Sequence, residues 1–180
     1  MTDSSTGGFL LPAPASTPVE GLTLNQFIQQ FIVAVTGLSG DLVRVAFQPE
    51  PGNVPDAGDA WASFRWETLD TDTGPAFTGQ EFQEHETITV KTSFYDLGTN
   101  GLADHYSALL RDGLKIPQNA EYWTAAGMGL AHIGSRIAVP QLVKMRWQYQ
   151  IDLDFSLRRP VVRTYAILNV NSLSVGVSTS

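Results

Sequence analysis

The histidines and acidic residues are the side chains of this sequence that could build a catalytic or metal site. His85 lies between Glu84 and Glu86, and all three are residue types that bind zinc. In an extended segment, however, successive side chains point to opposite faces, so His85 and the two glutamates do not converge on one ion. His105 and His132 lie far away along the chain. We therefore predict no metal site, no cofactor and no enzymatic activity.

Asp152 and Asp154 form a pair of carboxylates with a spacing that suits a shared site. In a strand they lie on the same face, with their Cα atoms about 7 Å apart. Such a pair can bind a cation, but it more simply forms the polar face of an amphipathic strand or takes part in salt bridges. We favour the structural interpretation of both residues.

Arginines cluster near Pro160, with Arg158, Arg159 and Arg163 around it and Arg146 upstream. Arginine forks suit phosphates and carboxylates, so the cluster could contact DNA or an acidic surface of a neighbouring subunit. The net charge of the chain is −7. Because an acidic chain disfavours nonspecific DNA binding, we favour the contact between subunits.

The charge of the chain is unevenly distributed. Residues 1–110 hold 14 acids and 3 bases, a net charge of −11, and residues 111–180 hold 4 acids and 8 bases, a net charge of +4. Two halves of opposite charge favour head-to-tail contacts between copies, although the halves could also simply expose different faces.

The clearest structural signal is the alternation of apolar and polar residues from Val143 to Leu157. A period of two places the apolar set on one face of a β-strand. Fifteen residues in a strand span about 50 Å, which exceeds the usual strand length of about ten residues. A strand of this length crosses the domain, bends or projects, and a projecting apolar face needs cover from a neighbouring subunit. The apolar set is Val143, Met145, Trp147, Tyr149, Ile151, Leu153, Phe155 and Leu157.

Further elements surround this strand. Thr23 and Gln26 fit a capping box that opens a helix ending at Gly37. A second helix is predicted over residues 102–114, with Thr99 or Asn100 as its N-cap. Pro117 suits the first turn of a third helix. Strands are predicted over residues 42–47, 61–69, 81–95 and 128–133, and Pro160 should break or turn the long strand.

This order of elements predicts an α+β fold: an antiparallel or mixed sheet, two to three helices packed on it, and a long C-terminal strand. Residues 1–20, rich in Ser, Thr, Gly and Pro, are predicted to form a flexible N-terminal arm. Residues 21–180 are predicted to form a single domain. The chain has no cysteine and no apolar run long enough for a membrane span, and its N-terminus does not resemble a signal peptide, so a cytoplasmic product is expected.

The order and spacing of several short segments resemble those of phage neck proteins of the tail-terminator type. These segments together cover roughly residues 24–170. The matching segments are residues 31–44, 47–51, 109–114, 118–119, 126–130, 139–143 and 146–165.

The resemblance implies a structural virion protein that forms a homohexameric ring on the finished tail tube. Its implied partners are copies of itself, the tail tube protein, the head–tail connector or stopper protein and, if the tail is contractile, the tail sheath. DNA would pass through the ring without specific binding, and no membrane is involved. The protein would be made in the bacterial cytoplasm and located at the virion neck. The family supplies no catalytic residue.

We place the expected subunit interface on the long strand and its arginine-rich end. The alternatives to a terminator are another head–tail morphogenesis protein, such as a head-completion or tube protein, and a small ligand-binding domain or hydrolase. The predicted interface residues are Arg146, Trp147, Asp152, Asp154, Arg158, Arg159 and Arg163.

Overall fold

A computed structural model describes residues 21–46, 60–71, 76–78, 81–96, 101–139, 141–143 and 146–165 of the chain. The fold is α+β, with three helices and a mixed sheet, as the sequence predicts. The predicted arm, residues 1–20, lies outside the described residues. The elements in chain order are α1 (Gly21–Thr36), a 3-10 turn (Gly40–Leu42), β1 (Val43–Val45), β2 (Trp61–Thr71), β3 (Ala76–Thr78), β4 (Glu81–Asp96), α2 (Leu102–Lys115), α3 (Pro117–Ala125), β5 (Gly129–Ile133), β6 (Ile137–Ala138), β7 (Gln141–Val143) and β8 (Arg146–Thr164).

The main path of the sheet follows the order β1-β2-β4-β8-β5. The β1–β2 pair is parallel, whereas β2–β4 and β5–β8 are antiparallel, which makes the sheet mixed. Three short strands pair beside this path: β3 with β4, and β6 and β7 with β8. The long C-terminal strand β8 therefore lies in the middle of the sheet, between β4 and β5.

The chain divides into two compact units. The larger unit comprises residues 19–72 and 85–160 and contains the three helices. The described residues of the smaller unit are 76–78, 81–84 and 161–165. Within the smaller unit, β3 pairs with the start of β4, from Ala76 opposite Gln83 to Thr78 opposite Glu81.

Helix α1 buries one apolar stripe against the sheet. Leu24, Ile28 and Ile32 recur at intervals of four residues, so they share a face, and all three are fully buried. The helix ends where predicted, because Gly37 adopts a φ of 76° that favours glycine. The predicted capping box is wrong, because α1 begins at Gly21 and Thr23 already lies inside the helix.

Helix α2 is capped from a distance. The backbone N–H of Leu102 donates to the Asp96 carboxylate at 3.0 Å, and Gly101 supplies the turn with a φ of 66°. The predicted caps, Thr99 and Asn100, lie outside the described residues. Pro117 opens α3 as predicted, since its missing N–H has no partner to lose in a first helical turn.

The core of the larger unit lies between the helices and one face of the sheet. Trp123 of α3 is 1% exposed and sits at its centre. Its ring lies 4.4 Å from Phe31 of α1 and 5.9 Å from Phe155 of β8, measured between centroids. Three elements that are distant in sequence are thus joined by aromatic packing.

Pro160 does not break the long strand, contrary to the prediction. Strand β8 continues through Pro160 to Thr164. The pairing of β8 with β5 reaches only as far as Arg158 opposite Gly129. Pro160 lies beyond that pair, so its missing N–H removes no hydrogen bond to β5.

Candidate assembly surface

The middle of β8 has one face in the core and one face turned away from it. The odd-numbered apolar residues from 151 to 157 are all buried, and Phe155 packs on Trp123. Between them Asp152 is half-buried and Asp154 is exposed. The predicted alternation is confirmed in this stretch. The residues buried on the helix side are Ile151, Leu153, Phe155 and Leu157.

The face of the sheet opposite the helices holds a cavity of about 460 Å³, here called the outer groove. Strands β2, β4 and β8 form its floor, and β6 with the segment before it forms one wall. Most floor residues are polar because they occupy the alternate positions that the helices do not cover. The groove is lined by Ala46, Ser63, Phe64, Arg65, Lys91, Thr92, Ser93, Tyr95, Ser135, Ile137, Gln150, Asp152, Leu153 and Asp154.

Gln150 is the unusual polar residue of the outer groove. The residue is 6% exposed, and its amide nitrogen donates to Asp152 Oδ1 at 2.6 Å and, more weakly, to Ser93 Oγ at 3.4 Å. Its amide oxygen is buried and has no hydrogen-bond partner among the described residues. A buried acceptor without a donor costs about 1–3 kcal/mol, so Gln150 is a polar residue that the protomer covers at a cost.

The wall of the outer groove approaches β8 very closely. The Gly134 N–H donates to the Asp154 carbonyl at 2.8 Å, and a Cβ at position 134 would overlap the Asp154 carboxylate. Two residues later, Arg136 pairs with Asp104 of α2 at 3.0 Å. The glycine contact and this ion pair together hold the wall in place beside the carboxylates of the groove.

At the other end of β8, its first residues pair antiparallel with β7; residues 141–143 and 146–149 are here called the β7–β8 hairpin. Leu142 lies opposite Trp147 in the register. Leu142 is 62% exposed and Tyr149 is 40% exposed, whereas Gln148 and Gln150 are 8% and 6% exposed. The burial is therefore the reverse of the usual pattern, with apolar side chains in solvent and glutamines covered.

Arg159 and Arg163 each meet a glutamate of their own chain. In the larger unit, Arg159 is 5% exposed at its side chain and binds Glu86 at 2.8 Å. In the smaller unit, Arg163 lies 3.8 Å from Glu84. Arg158 alternates with these two and is exposed on β8, opposite Gly129.

The structure brings only part of the predicted interface set together. Asp152 and Asp154 share the outer groove, and Arg158 is exposed beyond it. The backbones of Arg146 and Trp147 belong to β8, but their side chains lie outside those described. Sequence reasoning missed Gln150 as a groove residue. The signal was present, because Gln148 and Gln150 continue the polar set that contains Asp152.

The histidines do not form a site. His85 and His132 are exposed on β4 and β5, and His105 is exposed on α2 beside Tyr106. Within the described part of the chain, no three His, Cys, Asp or Glu side chains lie close enough together to hold a metal ion. None of the described helices has both the length and the apolar content for crossing a membrane.

A comparison with protein families shows where this architecture belongs. The family model of the phage neck terminator protein matches residues 22–180, which is most of the chain. The chain belongs to this family of structural virion proteins, located at the phage neck. No curated protein matches the chain. The predicted resemblance to tail terminators is confirmed.

Proposed function

We propose that the protein forms a closed homohexameric ring that caps the finished tail tube at the phage neck. The ring contacts the tail tube protein on one side and the head–tail connector or stopper protein on the other. In a contractile tail it also meets the sheath. DNA passes through the lumen without sequence-specific binding.

The observation that carries the ring is the reversed burial of the β7–β8 hairpin. Leu142 and Tyr149 are exposed in the protomer, whereas the odd-numbered apolar residues of β8 from Ile151 to Leu157 are buried. Contiguous exposed apolar residues mark interaction sites, and each such side chain gains about 1.5–3 kcal/mol when it is covered. A second copy of the chain is the partner that every protomer has available.

The charge distribution supports a head-to-tail contact. A heterologous interface joins two different surfaces of neighbouring copies and closes into a ring when the rotation divides a full turn. The net charges of −11 on residues 1–110 and +4 on residues 111–180 favour such a contact between unlike parts of two copies. The overall acidity also suits a DNA conduit, because an anionic lumen does not bind the passing duplex.

The predicted domain and interface assignments form part of this proposal. Residues 1–20 act as an arm and residues 21–180 as the terminator domain. Arg146, Trp147, Arg158 and the groove carboxylates remain the proposed contacts between copies. Arg159 and Arg163 contribute to the contact between copies indirectly, by stabilising β8, because each already pairs with a glutamate of its own chain.

The decisive experiment measures the mass and shape of the purified full-length protein by sedimentation velocity and negative-stain imaging. We expect discrete closed rings of six copies. Replacing Leu142 and Tyr149 together with serine should give folded monomers, because both side chains are exposed in the protomer.

The matched control replaces Leu22 and Leu69, which are 81% and 60% exposed elsewhere in the larger unit, with serine. This control should still form rings. Long filaments of the unaltered protein would indicate a tube protein, and monomers at all concentrations would contradict a ring.

A further inference from the structure

In the part of the chain that the structure describes, the outer groove and the β7–β8 hairpin are two uncovered surfaces of the same protomer. The groove has a buried acceptor at Gln150 and carboxylates at Asp152 and Asp154. The hairpin has exposed apolar side chains at Leu142 and Tyr149. The hairpin offers hydrogen-bond donors and exposed apolar area. The groove offers acceptors and partly apolar walls, so the two surfaces are complementary.

From this complementarity we infer that the outer groove of one copy receives the β7–β8 hairpin of the next copy. The inference rests on the proposed ring, and it specifies which surfaces meet in that ring. Because groove and hairpin are different surfaces, their contact is heterologous and leaves one free groove and one free hairpin on every open chain of copies. Closure of the ring fills both.

Charge supports the hairpin as the occupant. The segment from residue 141 to residue 149 carries two bases, Lys144 and Arg146, and no acid. The groove is lined by the Asp152 and Asp154 carboxylates and by two bases, Arg65 and Lys91, of which Lys91 is paired with Glu67 at 2.6 Å. Basic side chains of the incoming hairpin therefore meet acceptors that have unused lone pairs.

Apolar contacts support the same arrangement. Ile137 stands on the groove wall and is 58% exposed, and Tyr95 on the floor stacks on Trp61 at 4.1 Å between centroids. Leu142 and Tyr149 of a neighbour can cover these residues. The Gly134 contact and the Arg136–Asp104 pair hold the wall before docking, so less ordering is needed on binding.

Cysteine cross-linking tests the contact directly, because the natural sequence contains no cysteine. One batch of protein carries Leu142→Cys and the other carries Ser135→Cys, a change on the groove wall. We expect a disulfide-linked dimer on oxidation of the mixture, and no comparable dimer in either batch alone. A mixture of Leu142→Cys with Leu22→Cys, at the start of α1, serves as the control and should stay uncross-linked.

A charge exchange supplies an independent test. Asp154→Lys should weaken association about tenfold by facing bases across the contact, and adding Lys144→Glu to the same chain should restore most of it. Rings that form normally without the specific cross-link and without sensitivity to Asp154→Lys would overturn the groove–hairpin contact and leave the proposed ring intact. Cross-links of Leu142→Cys to itself would show a hairpin–hairpin contact and would also overturn it. Absence of any assembly by the unaltered protein would refute the ring itself.

Discussion

Two stretches of the same strand behave in opposite ways in this protein. From Ile151 to Leu157, β8 packs its odd-numbered residues under the three helices, and all of them are buried. At Tyr149 the same odd-numbered series continues, yet the side chain is 40% exposed. The sequence pattern is identical in both stretches, so the difference lies in what the rest of the protomer provides as cover. Covering an apolar face is favourable, and the covering surface can belong to the same chain or to another one.

The largest contrast should appear between Phe155→Ala and Tyr149→Ala. Phe155 is fully buried against Trp123, so its truncation should lower the free energy of unfolding by about 3–5 kcal/mol. Tyr149→Ala should change that free energy by less than about 0.5 kcal/mol while weakening association. Urea unfolding at dilution below the association range gives the first quantity, and sedimentation gives the second. Equal losses of folding stability in both variants would show that the two stretches do not differ.

Two glutamate substitutions compare a buried ion pair with an exposed one. Glu86→Gln removes the charge that faces Arg159, and the side chains of this pair are 15% and 5% exposed. We expect a loss of about 3 kcal/mol in unfolding free energy, because the guanidinium remains buried beside a neutral amide.

Glu67→Gln is the matched change in the Lys91–Glu67 pair, whose side chains are about 40% exposed. It should cost less than about 1 kcal/mol, because solvent screens the pair. The same unfolding measurement checks both variants. A similar loss of unfolding free energy in the two would argue against a buried ion pair between Arg159 and Glu86.

Two glycine substitutions test the groove wall. Gly134→Ala places a methyl group against the Asp154 carboxylate and should cost about 1–3 kcal/mol, while Gly129→Ala on β5 meets nothing within 4 Å and should cost far less. Thermal unfolding distinguishes the two. If Gly134→Ala shifts the wall, it should also weaken association, whereas Gly129→Ala should not.

The smallest expected effect depends on pH. The Tyr122 hydroxyl donates to the Phe27 carbonyl at 2.8 Å, and burial raises the pKa of Tyr122 above its usual 10.0. The associated stability is fully present below the unfolded pKa and is lost as pH rises through the higher folded pKa. Tyr122→Phe should therefore cost about 1 kcal/mol near pH 7, and its difference from the natural protein should shrink above pH 10. A difference that is constant with pH would contradict this role.

Much of the fold could be predicted from the sequence, because local periodicity carries the information. The α1 stripe from Leu24 to Ile32, the helix start at Pro117 and the alternation from Ile151 to Leu157 were all readable without coordinates. The cap of α2 could not be predicted in this way, because Asp96 accepts a hydrogen bond from the Leu102 N–H six residues further along the chain. The prediction that Pro160 breaks the strand was wrong for a related reason. The effect of a proline on a strand depends on whether a neighbouring strand pairs at that position, and the pairing with β5 ends at Arg158.

The candidate assembly surface was harder to predict. The alternation of β8 located Asp152 and Asp154 on one face, and the structure places both in the outer groove. Sequence periodicity assigns residues to faces but does not say which face receives helices. The exposure of Leu142 and Tyr149, and the burial of Gln150, depend on elements that are remote in the chain.

The central position of β8 has a consequence for synthesis. Strand β8 is the last described strand, and it lies between β4 and β5. The Thr92 hydroxyl of β4 donates to the Leu153 carbonyl of β8 at 2.5 Å, so this contact joins residues more than sixty positions apart. A nascent chain without β8 has a gap in the middle of its sheet and cannot close its core. A product that stops before β8 therefore lacks the strand that completes the sheet and one of the two strands of the β7–β8 hairpin.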